Sequence, residues 1–155
     1  MATTTTLRAG EGVRKLAEGD YGKGYTELLS KLTTVGDVSE EDFRAQLHFL
    51  ETERGGDYCI LVVEDEGKSR IMGTGTLLVE HKFIHACGSV GHIEDIVVLP
   101  EARGQGLGHR VVAALIKEAG ERGCYKVILD CAEKNVGFYE KVGMERKEVQ
   151  MVKYL

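Results

Sequence analysis

Two groups of residues in this chain could do chemistry. The first is Arg103-Gly104-Gln105-Gly106-Leu107-Gly108-His109, with three alternate glycines between an apolar run and a helical pattern. Glycine lets backbone N–H groups approach an anion closely, and the orphan donors and dipole of a helix N-terminus favour negative charge. Such a turn suits a phosphate. The second is a set of titratable side chains: Glu94, Asp95, Asp130, Tyr139, Lys82, His85 and Lys126. Glu94 and Asp95 are neighbours in an apolar run, and on an ideal strand they point to opposite faces, so a close carboxylate couple is not expected. Tyr139 is either a packing aromatic or a phenolic proton donor. Asp130 ends an apolar run, where it either caps the next helix or serves a site. A lone lysine is as readily a solvated charge as a ligand for an anion.

Spacing narrows the phosphate. A dinucleotide fingerprint needs G-x-G-x-x-G and an acid closing a second strand. Here the spacing is G-x-G-x-G, and no acid ends a second strand roughly 20 residues on, Asp130 being the nearest candidate. A P-loop needs G-x-x-x-x-G-K-[ST]. Gly67-Lys68-Ser69 supply its end, but Val62 occupies the place of the first glycine. A strand-to-helix turn without a ligand is the plain alternative.

Particular elements must position these groups. His92 to Leu99 is an apolar strand, ended by Pro100, which cannot donate to a ladder. Leu107, Val111, Leu115 and Ala119 recur at helical steps, so a helix follows the glycines to about Arg122, with Gly123 as its cap. Cys124 to Cys131 is a second buried strand. Glu133 to Val142 is a short helix carrying Asn135, Phe138 and Tyr139, and Gly143 ends it. Upstream, Val13 to Leu16 is a short strand. A helix from Tyr21 to Leu32 has its start weakened by Gly22 and Gly24. Ser39 and Asp42 form a capping box that opens a helix to about Glu53. Tyr58–Glu64 and Ile71–Glu80 form a hairpin. Met144 to Leu155 is expected to be a final strand or strand pair. Residues 1–12 read as a disordered polar tail. Residues 13–155 read as one α/β domain with a mixed sheet, in the order β-α-α-β-β-β-α-β-α-β. The strand–helix–strand unit around the glycines should be a right-handed parallel crossover.

Composition sets bounds. A chain of 155 residues suits one domain. Its net charge of −5 provides no basic field for nucleic acid. No apolar run approaches the roughly 20 residues of a membrane span. The four cysteines, without a C-x-x-C pair, read as reduced thiols in a cytoplasmic protein.

A third phosphate pattern, Arg/Gln-x-x-Gly-x-Gly/Ala, fits Arg103, Gly106 and Gly108 without a gap. It resembles the acetyl-coenzyme A (acetyl-CoA) pyrophosphate loop of the GNAT superfamily of N-acetyltransferases. Further stretches are similar to the glucosamine 6-phosphate N-acetyltransferases of that superfamily. They are Gly91-His92-Ile93-Glu94-Asp95-Ile96-Val97-Val98, Cys124 to Cys131, Glu133-Lys134-Asn135-Val136-Gly137-Phe138-Tyr139-Glu140-Lys141, Leu32 to Gly36 and Lys82-Phe83-Ile84-His85. The resemblance implies the GNAT acyl-CoA N-acyltransferase fold with a splayed central sheet. It implies acetyl transfer to the amine of D-glucosamine 6-phosphate by direct attack in a ternary complex, on the route to UDP-N-acetylglucosamine, with acetyl-CoA as cosubstrate and no metal.

The resemblance also assigns residues. Backbone groups of Ile96, Val97 and Val98 would hold the pantetheine arm. Arg103, Gly104, Gln105, Gly106, Leu107, Gly108 and His109 would hold the pyrophosphate, with Asp130, Asn135 and Tyr139 also against the cofactor. Tyr139, Asp130 and Glu94 would be catalytic. Thr33, Lys82, Phe83, Ile84, His85, Glu94, Asp95, Ile96, Tyr125 and Lys126 would meet the sugar phosphate. Tyr125-Lys126 would reach a neighbouring subunit's site, which implies a homodimer with shared active sites. Tyr154 stands where some members carry an arginine, which puts that phosphate contact in question. Some relatives associate peripherally with an endomembrane, and nothing here encodes an integral segment.

Overall fold

The computed structural model describes residues 12–65 and 67–155. The tail expected at residues 1–12 lies, apart from Gly12, outside them. Five strands form one sheet in the order β1-β2-β3-β4-β5. They are β1 (Val13–Lys15), β2 (Tyr58–Asp65), β3 (Arg70–His81), β4 (Ser89–Val98) and β5 (Cys124–Ile128). The first four are antiparallel neighbours, and β5 joins β4 in parallel. The parallel step is made by the crossover helix α4 (Leu107–Glu121). This is the mixed α/β architecture expected from the sequence.

Helices cover both faces. On one side, α1 (Tyr25–Leu29) and α2 (Glu40–Thr52) pack Tyr25, Leu28, Phe43 and Leu47 against Val62, Ile71, Val97 and Leu99. On the other, Val111, Val112, Leu115 and Ala119 of α4 pack against Leu61, Val63, Leu77, Val79 and Ile93. Helix α2 begins as its sequence predicts: the Ser39 hydroxyl accepts from the Asp42 amide at 3.1 Å, and Asp42 accepts from the Ser39 amide at 3.1 Å. The helix expected from Tyr21 is shorter. A 3₁₀ turn (Glu18–Asp20) precedes it, and α1 starts only after Gly24, which sits at φ +82°. Buried Asp20, 1% exposed, braces this corner by accepting two hydrogen bonds of 2.8 Å from Arg14, which also reaches Glu64 at 2.6 Å.

Two irregularities interrupt the sheet. The β3–β4 register slips between Thr74, opposite Val97, and Thr76, opposite Glu94. This is a β-bulge, and Asp95 within it takes φ +54°. Its effect shows in the packing. Ile93 and Val97 are an even number of residues apart, yet Ile93 enters the α4 core and Val97 the α1/α2 core. Gly75 makes the bulge possible, since a Cβ there would lie 2.3 Å from the Ile96 side chain and 2.8 Å from Leu115. The β4–β5 ladder is also short. Its last rung is His92 opposite Ile128, so the rest of β4 diverges from the chain after β5.

The final element differs from expectation. After the 3₁₀ turn Glu133–Asn135 and helix α5 (Val136–Glu140), residues Met144–Leu155 form no strand. The segment has apolar residues suited to a sheet, but Val149, Met151, Val152 and Tyr154 are exposed and no edge within the described residues receives them. A strand needs a partner edge as well as a pattern.

Candidate active site

The glycine turn leads into α4 as expected. Pro100–Ala102 is a 3₁₀ turn, Arg103 is extended, and Gly104 and Gly106 have φ of +80° and +76°. A Cβ at either would meet nothing within 4 Å. These two glycines are therefore demanded by backbone conformation. Gly106 is the N-cap of α4 and supplies no side-chain cap, so the first-turn amides stay available to an anion. Arg103 forms no ion pair among the described residues, and the buried Nε of Arg110 has no partner there. Gly108 is different. A Cβ there would lie 2.9 Å from the Phe138 ring, so this third glycine makes room for α5. His109 joins in: its ring stacks on Phe138 at 4.1 Å, and its Nε2 donates to the Phe138 carbonyl at 3.0 Å. Phe138 in turn meets the edge of Tyr139 at 4.9 Å. The start of the phosphate loop's helix is thus mechanically joined to Tyr139.

Tyr139 packs with α5 against the α4 core. Burial, and then the neighbouring Cys131, pushes its phenol up from the ordinary value. It therefore keeps its proton near neutrality, and its hydroxyl is able to donate a hydrogen bond. Asn135 ends the 3₁₀ turn at the start of α5 and makes no side-chain cap.

The β4 bulge changes the expectation for the two acids. Glu94 and Asp95 are not separated as on an ideal strand. Glu94 is solvent-open, yet its carboxyl sits above the ordinary range. Partial desolvation is the main cause, and the negative charges of Asp130 and Asp95 add to it. Asp95 also acts on Tyr25, which burial chiefly pushes up to about 12. The side chain of Asp130 accepts from Gln150 at 2.7 Å. Where β4 leaves β5, the main chain of Ile96, Val97 and Val98 has, among the described residues, no strand on its β5 side. A bulge also frees an amide from the β3 ladder.

A third cluster gathers at the start of β5. His85 stacks on Tyr125 at 4.2 Å, Lys126 lies over the same ring at 5.9 Å, and Lys82 pairs with Glu80 beside it. The one-turn helix α3 (Ile84–Cys87) makes this possible through left-handed φ values at His85, Ala86 and Cys87. Gly88 admits the ring, since a Cβ there would lie 2.8 Å from Tyr125. The structure therefore brings Lys82, His85, Tyr125 and Lys126 together. Phe83, 94% exposed, and Ile84 lie at the same turn but project into solvent. Thr33 lies exposed in the loop after α1, and Tyr154, 90% exposed, touches none of these groups.

Two further polar residues, not singled out from the sequence, lie on this face: Glu80 and His92. His92 Nε2 is 3.0 Å from Glu80 Oε2, and both lie on the sheet face shared with Glu94. Neither of two surface hollows, one lined by Glu18, Glu40 and Arg44 and one by Leu16, Leu47 and Cys59, includes a candidate residue. The candidate site is a split between strands with an open polar face.

Comparison with known proteins agrees with this geometry. The pattern of the acetyltransferase (GNAT) family matches residues 23–144. A glucosamine 6-phosphate N-acetyltransferase of Arabidopsis thaliana is 45% identical over 142 residues, covering 92% of this chain and 95% of the relative. One of Candida albicans is 46% identical over 146 residues, covering 94% and 97%. The crystal structure of glucosamine-6-phosphate N-acetyltransferase from Arabidopsis thaliana superposes with a TM-score of 0.90, covering 92% of this chain and 96% of that one.

Proposed function

The chain belongs to the GNAT acetyltransferase family, and from that premise we propose that it transfers acetyl from acetyl-CoA to the amine of D-glucosamine 6-phosphate. The products are N-acetyl-D-glucosamine 6-phosphate and coenzyme A, and the acetylated sugar feeds UDP-N-acetylglucosamine synthesis. The observation that carries this reading is identity of 45% and 46% over 95% and 97% of the length of relatives bearing that name.

Direct attack in a ternary complex divides the work among the three parts of the site. Amides from Gly104 to His109, with Arg103, hold the pyrophosphate. The main chain of Ile96, Val97 and Val98 holds the pantetheine arm as the missing strand beside β4, which lays the thioester along the bulge. An amide freed at the bulge donates to the carbonyl oxygen as it becomes an oxyanion. Tyr139 donates to the departing sulfur. Glu94, Asp95 and Asp130 accept from the sugar hydroxyls and the amine, and Lys82 and His85, with Lys126 supplied by the neighbouring subunit, face the sugar phosphate. Holding amine and thioester together supplies much of the rate.

A homodimer completes the reading. Tyr125 and Ile128 are exposed on the outer strand β5, and Val149, Met151 and Val152 are exposed in the C-terminal segment, which returns to Asp130, just past β5, through Gln150. Exposed apolar groups of this kind suit an interface, and Tyr125-Lys126 then serve a neighbour's site.

A thiol-release assay with acetyl-CoA tests the substrate. Turnover is expected with glucosamine 6-phosphate. Turnover only with peptides or polyamines would make the chain a GNAT acetyltransferase for another amine, and cofactor binding without turnover would make it a binding module.

A further inference from the structure

We propose that His92, oriented by Glu80, takes the proton from the acceptor amine. The inference deepens the acetyl-transfer reading and rests on it. His92 is the last β4 residue in register with β5, so it stands at the point where the sheet opens. Its Nε2 lies 3.0 Å from one oxygen of Glu80, and Lys82 holds the other oxygen. The hydrogen bond from Lys82, and then that from His92, keeps the Glu80 carboxyl below its ordinary range, so it stays ionised. A carboxylate only accepts. Nε2 must therefore carry the hydrogen, which leaves the lone pair on Nδ1. Among the described residues Nδ1 makes no hydrogen bond. A carboxylate orients a histidine base in hydrolase triads by the same logic, with the two nitrogens exchanged.

The surroundings suit a proton acceptor for a cationic amine. Glu80 faces His92 from β3, Lys82 just past the end of β3 holds the same carboxylate, Glu94 follows His92 on β4, Lys126 lies two residues before Ile128, the partner of His92 on β5, and Asp130 stands beyond, acting on Glu94. Glu94 and Asp130 attract the ammonium group. An imidazole is better matched than a carboxylate to accept its proton near neutral pH. One ammonium proton passes to Nδ1. The neutral nitrogen forms the C–N bond to the acetyl carbon, and the C–S bond breaks. The second nitrogen proton reaches the sulfur through the Tyr139 hydroxyl. The imidazolium returns its proton to solvent at the open face, so each turnover releases one proton.

Two measurements decide the matter. Nitrogen-detected NMR on the intact, substrate-free protein reports the tautomer: Nε2–H is expected, and Nδ1–H overturns the proposal. Kinetics give the second arm. His92→Gln is expected to lower kcat/KM about 100-fold near neutral pH, as loss of a general base does, with the deficit narrowing as rising pH supplies free amine. Its KM for acetyl-CoA should stay unchanged. Glu80→Gln, at a partly exposed position that leaves the rung intact, should lose part of the rate and mix the tautomers. Superimposable pH profiles of the wild type and His92→Gln overturn the proposal. If the wild type ignores glucosamine 6-phosphate, the proposed substrate falls. The tautomer, and the same comparison made with whichever amine is acetylated, then judge His92 separately.

Discussion

Glu94 is a residue whose electrostatic position has a measurable cost. Its carboxyl is held above the ordinary range by desolvation first, and then by Asp130 and Asp95. Ionising it is harder in the folded chain than in the unfolded one. Below the usual glutamate midpoint, about 4.3, both states are protonated and no penalty exists. As pH rises further the unfolded chain ionises first and the penalty grows, until it is complete above the raised folded value and then stays. Glu94→Gln should therefore unfold at a higher temperature than wild type at pH 7. The gap should close toward about pH 4, while acetyl transfer falls. A gap that persists in acid would show that the charge is not the cause. At this scale the sequence displayed Glu94, Asp130 and Tyr139 as candidates, and their proposed roles came from the family resemblance rather than from their types. It hid His92 and Glu80, because their meaning lies in a cross-strand register that places Leu78 opposite His92 and Glu80 opposite Val90.

At the scale of elements, α4 and its loop were the most legible part. Helical spacing marks the buried face, and the alternate glycines mark the entry. The structure adds that the glycines have separate jobs. Gly106 needs its positive φ, and Gly108 needs its missing Cβ for Phe138. Gly106→Val meets no steric neighbour, so its whole effect is on backbone conformation and ligand approach. Left-handed strain of roughly 1–2 kcal/mol should raise KM for acetyl-CoA about 5–30-fold, with a smaller change in kcat. An unchanged KM would remove the loop from the site. The β4 bulge was not legible: nothing in Glu94-Asp95-Ile96 announces a left-handed aspartate. The nearest signal was Gly75, a glycine inside an otherwise good strand, which marks a bulge or a close approach.

At the scale of the molecule, an α/β fold with a mixed sheet was readable from periodicity and the order of elements. The last dozen residues were not, because a strand pattern does not say where its partner edge is. Under the proposed dimer, light scattering should give about twice the 17.0 kDa chain mass. Deleting residues 149–155 should give a monomer without acetyl transfer, since those residues include exposed Val149, Met151 and Tyr154. A fully active monomer would refute the shared site. No helix among the described residues is long and apolar enough to cross a membrane.

The sheet is zipped only as far as His92 and Ile128. On the proposed function a metabolite finishes the weave, so the loaded protein has more secondary structure than the chain alone encodes. Anything that binds only the native state raises its stability in proportion to the logarithm of supply. The melting temperature of this protein should then climb with added acetyl-CoA or CoA, because either one fills the open half of the sheet.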